Sequence, residues 1–354
     1  MNPSVSFSRR AFLTGMTAAA ARAASGVASR PPALAQIGTK HAHAAGKLQA
    51  VRELPELWSV AGWAEPDARR AEAVKQSKPY AGVPLSDEAA LLRDPQVKAI
   101  VVETAVEESC ATALRALQAG KHVHLDKPGA LGHVEFKAMR LEAERRGLTV
   151  QLGYMLRYNP GFELLFDVVR QGWLGEILEI DASMGKLSGA AERAAIGALP
   201  GGAMFELGCH PIDAIVTLLG KPARVVASST PSGRDRVKDN QLAVLEYPRA
   251  TAAVRINISD SSGTERRRFA VGGTEGTLEL LPMESGQATL WLARARGAYR
   301  QGRQALNLPR NGGRYTGEFI DLAKVVRGEK RLAWSAQHDI DVHETLLRAA
   351  GVMG

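Results

Sequence analysis

Two short segments hold most of the chemistry available to this chain of 354 residues. His122-Val-His-Leu-Asp-Lys-Pro128 places a lysine and a rigid proline at the end of an apolar, β-like run. Open α/β sheets gather their ligands at the carboxyl ends of strands, so a cation there is well placed to meet one. Phe205-Glu-Leu-Gly-Cys-His-Pro-Ile-Asp213 spaces Glu206, His210 and Asp213 at offsets of four and three. In a helix those offsets bring side chains to one face. Lys127 can hydrogen-bond a substrate hydroxyl and stabilise the alkoxide that forms as hydride leaves. His210 titrates near neutrality in its ordinary state, so it can take a hydroxyl proton and return it. Glu206 and Asp213 can orient the ring or accept from the substrate. The set suits proton and hydride transfer on a hydroxylated small molecule. Gly208 and Pro211 argue against one continuous helix, because proline cannot donate and clashes with the turn before it. The expectation is a short turn and then a helix starting near His210.

A parallel sheet must hold these residues, and the patterning supplies one. Apolar runs over 32–37, 57–64, 97–102, 122–126 and 148–152 read as strands. Helical spacing lies between them over 43–54, 66–75, 107–119 and 135–146, with a short helix to residue 92 capped by Ser86. Pro66-Asp67 opens one helix, and Gly120 and Gly147 close two others. Strands alternating with helices indicate a doubly wound parallel sheet. The rhythm then changes. Asn159 caps a helix over 160–170, and a strand follows over 174–184. From residue 224 come strands with alternating polarity over 224–228, 241–247, 251–258, 267–271, 276–281 and 288–292, the signature of an antiparallel sheet with one covered face. The stretch after Lys186, rich in alanine and glycine, reads as a loop beside the pocket. Helices over 317–327 and 337–350 end the pattern. The fold class is α/β: an N-terminal Rossmann doubly wound parallel sheet over 31–153, then an α+β domain with a large, mostly antiparallel open sheet over 154–334. A C-terminal helix over 335–354 packs back on the body.

The first strand runs into Gly38-Thr39-Lys40-His41, and the second ends at Glu65. A G-x-G-x-x-G phosphate loop would have glycine at positions 38, 40 and 43; only Gly38 is present, with Lys40 and His43 in the other places. The helix N-terminus still offers N–H groups and a positive dipole to phosphate, and Lys40 adds a charge. Glu65 is placed to accept ribose hydroxyls and repel a 2′-phosphate, which favours NAD over NADP while leaving NADP possible. Gly38, Thr39, Lys40, His41 and Glu65 are therefore the expected cofactor contacts, joined at the fourth strand by Asp126, Lys127 and Pro128. His41 and His43 look like metal ligands, but with no third donor nearby in the sequence they are read as phosphate-loop residues and no metal is expected. Tyr154 and Arg157 follow the last parallel strand, at the junction where pockets form. With Lys186 they are the candidate substrate contacts.

Composition removes other classes. Aromatic residues are 5% of the chain, too few for a surface that stacks on bases. The net charge of +8 is spread without a lysine/arginine block and includes Arg9, Arg10 and Arg22, so no nucleic-acid partner is expected. Cys110 and Cys209 are the only cysteines, which excludes a disulfide framework and a cysteine zinc site. Ser8-Arg9-Arg10-Ala11-Phe12-Leu13, followed by an alanine-rich stretch, reads as a twin-arginine export signal over 1–30, cut near residues 23–30. The stretch is too short and too polar to span a membrane. A periplasmic or extracytoplasmic enzyme, exported folded, would have to keep its cofactor bound.

Three motifs carry a family resemblance. Ala119-Gly-Lys-His-Val-His-Leu-Asp-Lys-Pro128 is similar to A-G-K-H-V-x-x-E-K-P, with Asp126 where glutamate is usual. Gly201-Gly-Ala-Met-Phe-Glu-Leu-Gly-Cys-His-Pro-Ile-Asp213 is similar to G-G-x-x-x-D-x-G-x-H-x-I-D, with Glu206 for aspartate. Val271-Gly-Gly-Thr-Glu-Gly-Thr-Leu-Glu-Leu280 is similar to a G-T-E-G-x-L strand turn. From about residue 33 onward the chain resembles the glucose–fructose oxidoreductase, inositol dehydrogenase and rhizopine-catabolism family (Gfo/Idh/MocA). The resemblance implies NAD(P)-linked chemistry on sugars, polyols or related small molecules, with Lys127 near the nicotinamide ribose. It also implies a homo-oligomer, dimer or tetramer, with contact through the open sheet. The family's T-P-N-x-x-H stretch is here Glu103-Thr-Ala-Val-Glu-Glu-Ser109, so contacts from that loop do not carry over. The leading expectation is an exported NAD(P)-dependent oxidoreductase. An NAD-using glycoside hydrolase working by transient oxidation and elimination is the alternative, and a non-catalytic sugar or cofactor binder is the third reading.

Overall fold

The computed structural model describes residues 30–309 and 312–354; the export motif lies outside them. A five-stranded parallel sheet comes first: β1 (Ala33–Ile37), β2 (Ser59–Ala64), β3 (Val97–Val102), β4 (His122–Leu125) and β5 (Val150–Leu152), in the order β2-β1-β3-β4-β5. Its central strands are apolar on both faces because helices cover both, which is why they read as unbroken apolar runs. The covering helices are α1 (Ala44–Arg52), α2 (Ala68–Val74), α3 (Glu88–Arg93), α4 (Val106–Gln118) and α5 (His133–Arg145). Asp67 caps α2 by accepting from the backbone N–H groups of Arg69 and Arg70. Asp87, not the expected Ser86, caps α3; a carboxylate serves that role as well as a hydroxyl and sits one residue nearer the helix.

After a 3₁₀ turn over Met155–Tyr158, Asn159 caps α6 (Pro160–Arg170), with Oδ1 accepting from Gly161 N at 2.9 Å. The second sheet has eight strands: β6 (Ile177–Gly185), β7 (Arg224–Thr230), β8 (Asn240–Glu246), β9 (Thr251–Asn257), β10 (Arg268–Gly273), β11 (Gly276–Leu280), β12 (Gln287–Leu292) and β13 (Gly302–Asn307). The order is β13-β12-β11-β10-β6-β9-β8-β7. Only β6 and β9 pair in parallel; the other neighbours are antiparallel.

Two elements depart from the sequence expectation. The Ala/Gly stretch after Lys186 contains a helix, α7 (Ala190–Ala198), in which Ile196 is the one buried residue. Alanine favours helix without needing an apolar stripe, so periodicity could not reveal it. β13 was not expected because no residue in it is buried. Two helices, α8 (Gly202–Leu207) and α9 (Cys209–Leu219), follow α7 and break at Gly208, where a Cβ would stand 2.4 Å from Met204 Sδ. With α11 (Ala336–Ala349) they line the covered face of the large sheet. α10 (Thr316–Val326) packs instead on the first sheet, where Trp58 Nε1 donates to Phe319 O at 2.9 Å. Among the described residues no helix is long and apolar enough to cross a membrane.

α11 also reaches α5. His343 stacks on Phe136, with ring centroids 4.3 Å apart, and its Nε2 lies 3.1 Å from Ala130 O. Burial lowers the imidazole from its ordinary 6.5 to about 4. The unfolded chain therefore binds more protons than the folded one between these values, and stability is lost as pH falls through that window. The midpoint of thermal unfolding should drop as pH is lowered from 6.5 to 4, with a shallower slope in His343→Gln; scanning calorimetry across that range checks it.

Candidate active site

The carboxyl ends of β1, β3 and β4 form one tip. Directly after β4, Lys127 is 2% exposed, and its peptide bond to Pro128 is cis. Its Nζ donates to Glu206 Oε1 at 2.7 Å and to Glu206 O at 3.0 Å. Burial alone would lower the ammonium pKa, but Glu206, with Cys209 and Asp126, outweighs it and holds the pKa above its usual value. Burial would likewise raise the Glu206 carboxyl, and Lys127 reverses that. Both groups are charged at neutral pH. The Glu206 side chain keeps 23% exposure, so an incoming hydroxyl can reach the pair.

His210 lies just beyond the Gly208 break. It is buried, its Nδ1 has no hydrogen-bond partner, and its ring meets Tyr154 edge-on at 6.1 Å. Burial first, then the charges of Lys127, His43 and Arg314, holds its pKa well below the ordinary value. The imidazole is neutral at physiological pH, the form that accepts a proton.

Asp213 does not join Glu206 and His210 at the tip. Its carboxylate accepts from Arg157 at 2.6 and 2.9 Å and faces His338 Nε2 at 3.1 Å. Arg157 also pairs with Asp339 at 2.7 Å, and Asp339 with Arg140 at 2.8 Å. Arg157 was expected to touch substrate, but it is 2% exposed and lies between the rings of Tyr154 and Trp334. Tyr154 is equally buried. These residues position α9, α11 and the 3₁₀ turn behind the site. Lys186 pairs with Glu192 of α7, and its charge also acts on Glu206.

The loop after β1 is closed by Glu65. Its Oε2 accepts from Thr39 N at 2.8 Å and Thr39 Oγ1 at 2.7 Å, and its Oε1 from Asp67 N at 3.1 Å. Arg70 Nε donates to the same hydroxyl at 2.8 Å. Gly38 sits at φ +88°, and a Cβ there would stand 2.6 Å from Thr104 N, so the tight turn needs glycine. Lys40 lies 3.6 Å from Glu108 near the start of α4. The donor set fits a dinucleotide: the turn is intact, Lys40 and Arg70 supply cations around it, and Thr104 Oγ1 is buried without a partner.

Beneath this loop is a buried charge cluster that sequence reasoning missed. Lys47, fully enclosed, lies 2.7 Å from Asp126 Oδ2 and 3.2 Å from Glu103 Oε1. Gly153 leaves room for its ammonium, since a Cβ there would come within 2.6 Å of Nζ. His41 Nδ1 and His43 Nδ1 lie 2.9 and 3.1 Å from the same Asp126 oxygen. The third donor absent from the local sequence is thus Asp126, brought in by the fold. A lysine among the buried positions Ala44, Leu48 and Val51 of α1 was the available signal, because an unpaired ammonium is not tolerated on a core face.

The Arg157 network generates a stability prediction. Removing one member of a buried ion pair leaves an uncompensated charge, at a cost of about 3–5 kcal/mol. Arg157→Ala and Asp339→Ala should each lose roughly that much in urea denaturation, whereas Lys186→Ala, on the surface, should lose less than about 1 kcal/mol.

Comparison with known proteins gives the family. Residues 34–154 match the oxidoreductase family with NAD-binding Rossmann fold, and residues 162–279 match the GFO/IDH/MocA C-terminal domain. Trans-1,2-dihydrobenzene-1,2-diol dehydrogenase from Bos taurus is 29% identical over 198 residues, 54% of this chain and 57% of that protein. The uncharacterized oxidoreductase YhhX from Escherichia coli is 33% identical over 158 residues, 44% of this chain and 46% of that protein. The chain spans about half the length of the curated relatives it matches. Among solved structures, an NAD binding oxidoreductase from Klebsiella pneumoniae has a TM-score of 0.79 at 18% identity, covering 92% of this chain and 97% of that one. Aldose-aldose oxidoreductase from Caulobacter crescentus, complexed with glycerol, has a TM-score of 0.77 at 19% identity, covering 91% and 98%. With both domains matched in order, the protein belongs to the Gfo/Idh/MocA oxidoreductase family and carries its NAD-binding Rossmann fold.

Proposed function

We propose that this protein is an exported oxidoreductase that holds NAD tightly and exchanges hydride with a hydroxyl-bearing carbon of a sugar, polyol or related small molecule. The observation that carries the reading is the pairing, at one sheet tip, of a buried charged lysine with a reachable carboxylate, next to a neutral imidazole with an unpartnered nitrogen. Gly38, Thr39 and Lys40 would hold the cofactor, which supplies the hydride acceptor when bound; Glu65, expected to accept ribose hydroxyls, is buried with its oxygens taken up by Thr39 and Asp67 and shapes the loop instead. Lys127 hydrogen-bonds the reacting hydroxyl and stabilises negative charge on its oxygen as the carbon is oxidised. His210 takes the hydroxyl proton and returns it in the reverse direction. Glu206 keeps Lys127 charged and aimed, and accepts from a neighbouring hydroxyl.

A polyhydroxy substrate suits this mixture of donors and acceptors, and relatives named for a diol and an aldose support it. The Ser8-Arg9-Arg10 motif supports export with cofactor already loaded. Val226, Leu242, Val244 and Trp291, on strands of the open sheet and not buried, support association of copies through that face.

Mass spectrometry of the small molecules released on denaturing the purified protein should find NAD; neither NAD nor NADP would remove the reading. Lys127→Ala should stay folded, still release dinucleotide, and lose about 10²-fold or more in turnover. His210→Asn should lose roughly 10²–10⁴-fold in kcat. Near-normal rates in either variant would take that residue out of the mechanism. Chromophore release from an aryl glycoside without net NADH would instead identify a glycosidase.

A further inference from the structure

Several departures from the dinucleotide-loop pattern meet at one point in space. His43 stands where the third loop glycine would be, Glu103 opens the altered stretch after β3, and Asp126 replaces the usual glutamate after β4. We propose that His41, His43, Asp126 and Glu103 form a site for a first-row divalent metal ion of the zinc class, at the carboxyl ends of β1, β3 and β4.

The fold brings the donors together. One ligand atom each from His41, His43 and Asp126 lies within 4.8 Å of the others. Glu103 Oε2 is 3.6 Å from His41 Nδ1 and, although fully buried, has no hydrogen-bond partner. Asp126 Oδ2 is faced by three nitrogens at once: His41 Nδ1 at 2.9 Å, His43 Nδ1 at 3.1 Å and Lys47 Nζ at 2.7 Å. A carboxylate oxygen has two lone pairs, so that crowding exceeds what hydrogen bonding can satisfy. A cation shared by the two imidazoles and the carboxylates relieves it and gives Glu103 Oε2 a partner. Imidazole with carboxylate suits zinc, cobalt, iron or manganese rather than an all-oxygen cation such as calcium.

Charge permits the ion. Asp126 offsets Lys47, Glu103, whose carboxyl burial pushes up, gives up its proton on ligating, and the imidazoles bind metal as neutral ligands. Lys47 closes the inner side, packed over Gly153. The outer side is formed by His41 and His43, whose side chains are 11% and 20% exposed. Open coordination positions there would take water or an oxygen of a bound ligand. The other grouping of this type among the described residues, Asp213, His338 and Asp339, already holds the Arg157 guanidinium.

The test is metal analysis of the full-length protein, stripped with a chelator, dialysed and titrated with Zn2+ and with Co2+. The site predicts one ion per chain and a visible Co2+ spectrum of low coordination number. His43→Ala, His41→Ala and Glu103→Gln should each weaken Zn2+ binding by about 10-fold or more, with circular dichroism unchanged. Wild-type protein that takes up no ion, or variants that bind Zn2+ as tightly as wild type, would overturn the proposal. Dinucleotide content, read on the same samples, is a separate result. Metal without dinucleotide upholds this site and defeats the cofactor reading; dinucleotide without metal does the opposite.

Discussion

The structure turns on an ammonium that remains charged in a place almost without water. Lys127 is enclosed at the tip of β4, and desolvation works against its charge. It keeps the charge because Glu206, from a helix of the other half of the molecule, meets it at 2.7 Å. One contact thus fixes the electrostatics of the site and joins the parallel sheet to the helices that cover the large sheet. The Gly208 break follows from the same need. It lets α8 present Glu206 and α9 present His210 from two helix axes rather than one, so neither side chain depends on a shared face.

Behind the site is a layer of charge that is wholly internal. Arg157 receives Asp213 and Asp339, and Arg140 takes the remaining oxygen of Asp339. Buried ion pairs add little net stability when each charge is matched, but they define position sharply because each mismatch is costly. The network holds the 3₁₀ turn after β5 against α9 and α11. The tip therefore has a floor of charged residues matched to one another.

Much of this was legible in the chain alone. The five parallel strands are apolar runs closed by glycine or an acid, and helix α6 was marked by Asn159-Pro160. The pairing of Lys127 with the Glu206–His210 segment followed from two motifs. What was not legible depends on tertiary contact. Arg157 reads as a substrate contact from its place at the junction where pockets form; its two carboxylate partners come from 56 and 182 residues away. His43 was left without a metal-type neighbour because Asp126 is 83 residues distant. α7 and β13 lack the apolar periodicity that marks an element, since one is alanine-rich and the other has no covered face.

Asp339 belongs to α11, which follows every strand of both sheets, yet it grips Arg140 and Arg157 from much earlier in the chain. Both arginines gain this counter-charge only when α11 docks. A helix made near the end of the chain thus closes a junction whose walls were made well before it.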